Sequence, residues 1–469
     1  MLYTNRQSLF TQEGKTVARR HADADMTQGS IWKHLLTFGV SMGLGLLFQQ
    51  LYNTVDTIVV GQFVGKEALA AVGSTGALLN TMVGLSAGVS MGATVVISQS
   101  YGAHDQKRLH SAVQTSVALT IIMSVVLTAA GLLLTEPLLR MMDTPADVFE
   151  EAVIYVRIYF AGLTGLLFYN IGSSIMRAVG DSRRPLYFLI TSAILNTVFD
   201  LLFVVAFGMG VEGVGYATIL AQGISALLVV FSLTREHSAY SIRWSQLHLD
   251  KDICKSMMSV GIPTAIQNAV TSFSNVFVQS YINYFGSACM AGWSAYSKLD
   301  AFLMIPMQAL SMGETTLVGQ NFGAGNLRRA RQGVKQSKIM SVSVTAAMAL
   351  TIVLLADKAM LLFTSEPDVI EYGVRFIRLN SLFYILPSYT TMVAGGLRGI
   401  GDAKKPSIAF LASYVAFRQL YLAVVKLLGN SLSWVAFGYP MGWIAAALMM
   451  TFFYRRSVLG RGRLETAAQ

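Results

Sequence analysis

Two aspartates stand inside long apolar runs, where a charge is costly and marks a candidate functional site. Asp56 closes the stretch Gln49-Gln50-Leu51-Tyr52-Asn53-Thr54-Val55-Asp56, and Asp200 closes Asn196-Thr197-Val198-Phe199-Asp200. Asn196 and Asp200 are four residues apart, which puts them on one face of a helix. Apolar sequence continues beyond Asp200 (Leu201 to Phe207), so this acid is expected within the outer half of the membrane. Tyr155 and Asn170 lie in the preceding apolar run, and Thr218 lies just inside the following one. Carboxylate, amide and hydroxyl oxygens are the ligand set of a hard cation. Two carboxylates in one low-dielectric pocket repel each other, so the pair has to share a proton or hold a cation. The expected chemistry is reversible loading of H⁺ or Na⁺, with Asp56, Asn196, Asp200 and Thr218 as the possible Na⁺ ligands.

A second set of polar residues points to a cavity. Asn268, Ser272, Asn275 and Gln279 recur at steps of four, three and four, a single polar stripe on an apolar helix. In lipid such a stripe faces a wet cavity or hydrogen-bonds neighbouring helices. Gln49, Tyr52 and Asn53 are cavity candidates in the first apolar run, and Lys298, Asp300 and Met304 in the eighth. Lys298 and Asp300 either neutralise each other or line the cavity. Glu314 is either a cavity acid that draws a cationic cargo or an interfacial residue near the inner end of its span. Arg418 and Lys426 snorkel or pair with acids elsewhere.

Several chemistries are excluded. There is no nucleophile elbow, phosphate-binding glycine loop or His-Glu helix motif, so neither an enzyme nor an ATP-driven pump is expected. No cofactor beyond the coupling ion is expected. Cys254 and Cys289 fall near opposite faces and cannot form a disulfide or a shared metal site. The six histidines show no zinc spacing.

These residues need a membrane scaffold to position them. The chain is 54% hydrophobic and only 13% charged. Twelve apolar stretches are long enough to cross a bilayer as helices, roughly 31–58, 68–98, 111–134, 152–176, 186–207, 213–234, 256–285, 290–319, 336–356, 372–397, 407–428 and 432–454. With residues 1–33 inside, alternation leaves only Lys66, Arg140 and Lys358 as basic residues in the outer loops. That positive-inside pattern places both termini in the cytoplasm of a multi-pass cell (inner) membrane protein. It also accounts for the net charge of +10 through orientation and contact with anionic lipid, and not through nucleic acid. No signal peptide is expected, since the first thirty residues lack a continuous apolar core.

The scaffold is a tandem duplication. Arg177-Ala-Val-Gly-Asp181-Ser-Arg-Arg-Pro185 returns 221 residues later as Arg398-Gly-Ile-Gly-Asp402-Ala-Lys-Lys-Pro406. The same offset pairs Gln99 with Gln320, Gly102 with Gly323 and Arg108 with Arg329. Six spans per copy return the chain to its starting side, so the copies are related by a pseudo-twofold axis along the membrane normal. The predicted fold is an all-α polytopic membrane protein of 12 transmembrane helices in two six-helix lobes. The predicted parts are a polar cytoplasmic tail (1–30), an N-terminal lobe (31–234), a cytoplasmic linker (235–255), a C-terminal lobe (256–454) and a second tail (455–469). The Gly-Asp loops read as helix stop and start signals, with an additional gating role through Asp–Arg contacts between loops as the alternative. At the same offset Asn196 meets Phe417 and Asp200 meets Tyr421, and Asp56 meets Val278 or Gln279 after a shift of one or two residues. The coupling site is therefore expected in the first lobe alone.

Taken together, Tyr52-Asn53-Thr-Val-Asp56-Thr-Ile-Val-Val-Gly61, Gln320-Asn321-Phe-Gly323-Ala324-Gly325 and the paired Arg-x-x-Gly-Asp loops resemble the multidrug and toxic compound extrusion (MATE) family over about 31–454. Asn196-x-x-x-Asp200 followed by Thr218 resembles its DinF-like branch. The resemblance implies an N-lobe cation site at Asp56, Tyr155, Asn170, Asn196, Asp200 and Thr218. It implies antiport, in which H⁺ or Na⁺ enters as an amphipathic, often cationic, compound leaves, with no nucleic-acid partner and a monomeric transporter in lipid. One departure stands out: Ser41 occupies a position where many DinF-like relatives have proline, although Pro263 is kept in the seventh span. The alternative function is a flippase of lipid-linked saccharides, for which a more cationic cavity is expected. A major-facilitator transporter is disfavoured, because Tyr101-Gly-Ala-His-Asp105 replaces that family's loop signature.

Overall fold

A computed structural model describes residues 25–142, 144–236 and 238–461; the expectations placed on residues 1–24, Asp143, His237 and 462–469 fall outside them. The described residues form helices and connecting turns, without strands. In the first lobe these are α1 (Ile31–Val59), α2 (Lys66–Gly102), α3 (Gln106–Met141), α4 (Ala146–Ala161), α5 (Leu163–Ala178), α6 (Arg183–Asp200) and α7 (Val211–Thr234). In the second they are α8 (Lys251–Asn283), α9 (Ser287–Gly323), α10 (Leu327–Leu354), α11 (Ala356–Leu361), α12 (Pro367–Asn380), α13 (Ile385–Gly399), α14 (Lys404–Phe410), α15 (Arg418–Leu427), α16 (Leu432–Ala436) and α17 (Gly438–Arg456). The fourth span is the pair α4 and α5, bent by 45°. The tenth is α12 and α13, joined by a tight 3₁₀ turn over Ser381–Tyr384.

Among the described residues, eight helices are long and apolar enough to cross a membrane, or nine with the bent pair counted as one span. The other three of the twelve spans are α8, α9 and the α12–α13 pair. These carry the polar stripe, Lys298, Asp300 and Glu314, and the charges of Asp368 to Arg378, which lower their hydropathy. The outer surface bears exposed Leu36, Val125, Leu133, Leu227, Leu350 and Leu448, an apolar coat suited to hydrocarbon.

The lobes meet reciprocally. The second span (α2) packs along the seventh (α8), and the eighth (α9) packs along the first (α1), as a twofold relation requires. The basic loops gather at the end of the bundle where α2 and α9 finish, hereafter the basic end. There Gln99 Nε2 of α2 donates to the Gly399 carbonyl of α13 at 2.9 Å, and Gln320 Nε2 of α9 donates to the Ala178 carbonyl of α5 at 2.9 Å. Both donors and both acceptors are 221 residues apart. The helix ends touch as well. A Cβ on Gly102 would lie 1.9 Å from the Gln320 carbonyl oxygen, and one on Gly323 would lie 1.9 Å from that of Gln99. Only glycine permits this approach, and it shuts the basic end. Gln320 also accepts from the Met26 backbone N–H at 2.9 Å, so the segment before α1 adds a strap to one side of the closure.

The Gly-Asp loops are helix stop and start signals. Gly180 (φ 91°) and Gly401 (φ 88°) take the left-handed conformation that ends a helix. The amides of Gly180 and Asp181 donate to the Arg177 and Met176 carbonyls, and those of Gly401 and Asp402 to Arg398 and Leu397. Asp181 then pairs with Arg184 and Asp402 with Lys405, each within its own loop. The Asp–Arg contacts between loops considered above are absent among the described ion pairs. Position 41 breaks nothing: Ser41 donates to the Thr37 carbonyl at 3.0 Å and α1 runs through it.

Candidate functional site

The two acids are brought together by α1 and α6. Asp56 lies in the last turn of α1, just before the widened π-helical turn Val60–Val64. Asp200 ends α6, just before a second such turn, Leu201–Ala206. Widened turns of this kind re-aim side chains and recur at functional sites. The carboxyl groups of Asp56 and Asp200 are near enough to act on each other electrostatically. Asp200 is 0% exposed and Asn196 2%. Asp56 Oδ1, both Asp200 oxygens and both polar atoms of the Asn196 amide have no hydrogen-bond partner.

Around the pair, α4 contributes Tyr155, which feels both acids, and α7 contributes buried Thr218, whose hydroxyl donates to the Val214 carbonyl at 3.0 Å. That leaves the Thr218 oxygen free to accept or to ligate. Two residues beyond the sequence expectations join them. Tyr159 stands one turn past Tyr155 and near Asp56, and it lies near Gln222, one turn past Thr218. The i, i+4 repeats Tyr155/Tyr159 and Thr218/Gln222 carried the signal. Val59, Val60, Val156, Val204 and Val214 supply an apolar wall. Burying one ionised carboxylate without compensation costs several kcal/mol, on the order of the whole stability of a small domain. Two buried side by side require a shared proton or a cation. The unengaged oxygens of Asp56, Asn196, Asp200 and Thr218 fit either. Among the described residues no group of three or more His, Cys, Asp or Glu side chains is placed to hold a metal ion.

Between the lobes lies a cavity of ≈800 Å³, within the usual range for a small-molecule site. Of the expected residues, Gln49, Asn268, Ser272, Asn275 and Met304 line it. Asn170, expected with the acids, lines it too and donates to Ser86 Oγ at 3.1 Å. Tyr52 does not line the cavity; it lies near the cavity residue Gln49 on one side and Asp56 on the other, and so stands between cavity and carboxyl pair. Asn53 is exposed, and Gln279 bonds Asn283 at 2.9 Å on an exposed face. Lys298 lies over the Phe363 ring, 5.9 Å from its centroid, and Asp300 accepts from the Tyr384 hydroxyl. These four are outside the cavity lining, and Lys298 and Asp300 are not an ion pair. Glu314 does not line the cavity. It is fully buried in the second lobe, where a Cβ on Gly395 or Gly396 would come within 3.2 Å of its carboxyl. Arg177 and Arg398, read from sequence as loop residues, do line the cavity.

Two helical lobes related by a twofold, with a cavity between them and the basic end closed, make the architecture of a membrane transporter. The chain belongs to the MatE family, whose model matches residues 42–202 and again 263–424, two matches that start 221 residues apart. It is 28% identical over 437 residues to the probable multidrug resistance protein YpnP of Bacillus subtilis, covering 92% of this chain and 96% of the relative. Among solved structures it resembles an outward-facing multidrug resistance MATE family transporter, with TM-score 0.86, 24% identity and coverage of 94% and 98%. It also resembles a transporter from Pyrococcus furiosus whose structure is described by the reverse polarity of its binding pocket, with TM-score 0.86, 24% identity and coverage of 95% and 98%.

Proposed function

We propose that this protein is a secondary active exporter of amphipathic small molecules, driven by H⁺ or Na⁺ entering through the Asp56–Asp200 pair. The observation that carries the reading is the pair itself: a fully buried Asp200 with no hydrogen-bond donor, a half-buried Asp56 whose Oδ1 is enclosed without a partner, and unengaged amide and hydroxyl oxygens beside them. Loading a proton or Na⁺ removes the repulsion between α1 and α6 and lets them close; unloading drives them apart. Tyr52 and Gln49 pass that change to the cavity wall. The lobes 31–234 and 256–454, linked by 235–255, then rock about the cavity in alternating access. The clustering of Lys and Arg at one end supports cytoplasmic termini in the cell (inner) membrane. The transporter acts as a monomer surrounded by lipid and needs no cofactor other than the coupling ion. The cavity lining holds no acid, and Asp300 and Glu314 stand elsewhere, so the reading names an amphipathic cargo without a positive charge requirement.

A second reading, flipping of a lipid-linked or otherwise lipidic anion, is supported by two arginines in the cavity wall. Efflux of a fluorescent amphiphile from vesicles, under separate Na⁺ and pH gradients, tests the first reading. One or both gradients must drive export by the wild type; export indifferent to both gradients sinks it.

A further inference from the structure

The cavity is electrically one-sided. Its lining contains no Asp or Glu, and its only formal charges are Arg177 and Arg398. The two arginines occupy the same position in the two copies, next to the last residue of α5 and of α13, and so mark the basic end of the cavity from both lobes. Guanidinium stays charged in proteins, so each needs compensation. Neither finds an acid: Arg177 donates to Ser174 Oγ at 2.7 Å and Arg398 to Gln267 Oε1 at 3.1 Å, and neither takes part in an ion pair among the described residues. Arg398 is 8% exposed and its Nε has no partner at all. Away from the arginines the wall carries neutral side chains only, polar ones such as Asn268 and Asn275 beside the apolar Met42, Leu46, Leu189 and Met304.

We infer that the cargo is an amphipathic anion, its phosphate, sulfonate or carboxylate group held between Arg177 and Arg398 and its apolar body against the methionine and leucine wall. This inference deepens the transport reading, on which it rests for the use of the cavity. An anion supplies the missing counter-charge to both lobes at once, and Arg pairs such groups through two parallel N–H donors. The residue after each arginine is Ala178 or Gly399, whose carbonyl the opposite lobe's Gln320 or Gln99 caps. A head group seated here therefore touches both sides of the closure at the basic end.

The test is equilibrium binding to purified protein in phosphatidylcholine nanodiscs, without any ion gradient. Dodecyl phosphate is compared with dodecyltrimethylammonium, which has the same chain and the opposite charge. The expected result is at least about tenfold tighter binding of the phosphate, weakened about tenfold or more by Arg177→Gln and by Arg398→Gln. Arg→Lys at either site restores part of the affinity if the variants fold. Lys107→Gln, an exposed charge at the same end and outside the cavity, leaves affinity unchanged. Displacement of dodecyl phosphate by phosphatidic acid placed in the disc would assign the head group to a lipid; lack of displacement would assign it to a soluble amphiphile. Equal or tighter binding of the ammonium overturns the inference, as does undiminished phosphate binding by folded Arg→Gln variants. Since no gradient is present, a wild type that fails in driven efflux would defeat the antiport reading while leaving this result standing.

Discussion

The same helix junction is built with opposite charge in the two lobes. In the first, the first and fifth spans meet at Asp56 and Asp200, where Asp56 Oδ1 and both Asp200 oxygens have no hydrogen-bond partner. In the second, the seventh and eleventh spans meet at Arg418. Its Nη2 donates to Ser274 Oγ at 2.9 Å and Asn275 Oδ1 at 2.8 Å, and its guanidinium lies 4.8 Å from the centre of the Tyr439 ring. The counterparts of the acids are apolar or satisfied: Val278 is buried in an apolar cluster, and the Tyr421 hydroxyl donates to the Trp434 carbonyl at 3.1 Å. One junction is left unsatisfied and responds to an added cation. The other is stapled by a side chain that carries its own charge. A transporter needs one element with two arrangements and a frame to move against, and the duplication supplies one of each.

The largest expected effect comes from neutralising the responsive junction. Asp200→Asn should lower ion-driven efflux by about a hundredfold, the scale of a lost coupling of roughly 3 kcal/mol. Thermal stability should hold or rise, because a buried repulsive pair is gone. Loss of efflux together with unfolding would assign Asp200 to structure instead. Next is Gly102→Ala, which sets a methyl against the Gln320 carbonyl and should force the basic end open. Labelling of a cysteine introduced at the end of α2 reads this, and unchanged protection would contradict the closure described. Arg418→Met removes two charge-assisted hydrogen bonds, offset in part by relief of burial. A loss of about 2 kcal/mol in stability is expected, with efflux per folded molecule within about twofold of wild type. If that variant instead loses ion dependence, the frame is part of the coupling and the comparison fails. The smallest effects belong to the latch. Gln99→Ala removes one neutral hydrogen bond, worth about 1 kcal/mol. Gln320→Ala should open the basic end further, since it also releases Met26. Equal opening by the two variants would show that the strap carries no weight.

Much of this was legible in the sequence because the repeat made one half a control for the other. Charge inside apolar runs located Asp56 and Asp200, the four-residue step added Asn196, and the stripe on α8 found Asn268, Ser272 and Asn275. Periodicity gives the face of a helix but not the neighbour that the face meets. Gln279 continues the stripe and yet leaves the cavity at the far end of α8. Lys298 and Asp300 are two apart, so they point to different sides of α9, one to Phe363 and the other to Tyr384. Glu314 and Arg418 were readable as costly charges, but the partners that surround them were not. Arg177 and Arg398 looked like loop anchors because they precede Gly-Asp turns, and only the packing of two lobes shows them at the cavity wall. The matched residues Gln99 and Gln320 were legible as a pair, while their crossing from lobe to lobe needed three dimensions.

The central claim is that ion coupling sits in the first lobe alone. The most direct test is gradient-driven efflux from vesicles by four variants side by side, Asp56→Asn and Asp200→Asn against Asp300→Asn and Glu314→Gln, each corrected for inserted protein. The account predicts that the first two lose Na⁺- or pH-driven efflux and that the second two keep it. Driven efflux that survives Asp56→Asn and Asp200→Asn but is lost in Asp300→Asn or Glu314→Gln would place the coupling in the second lobe and contradict it.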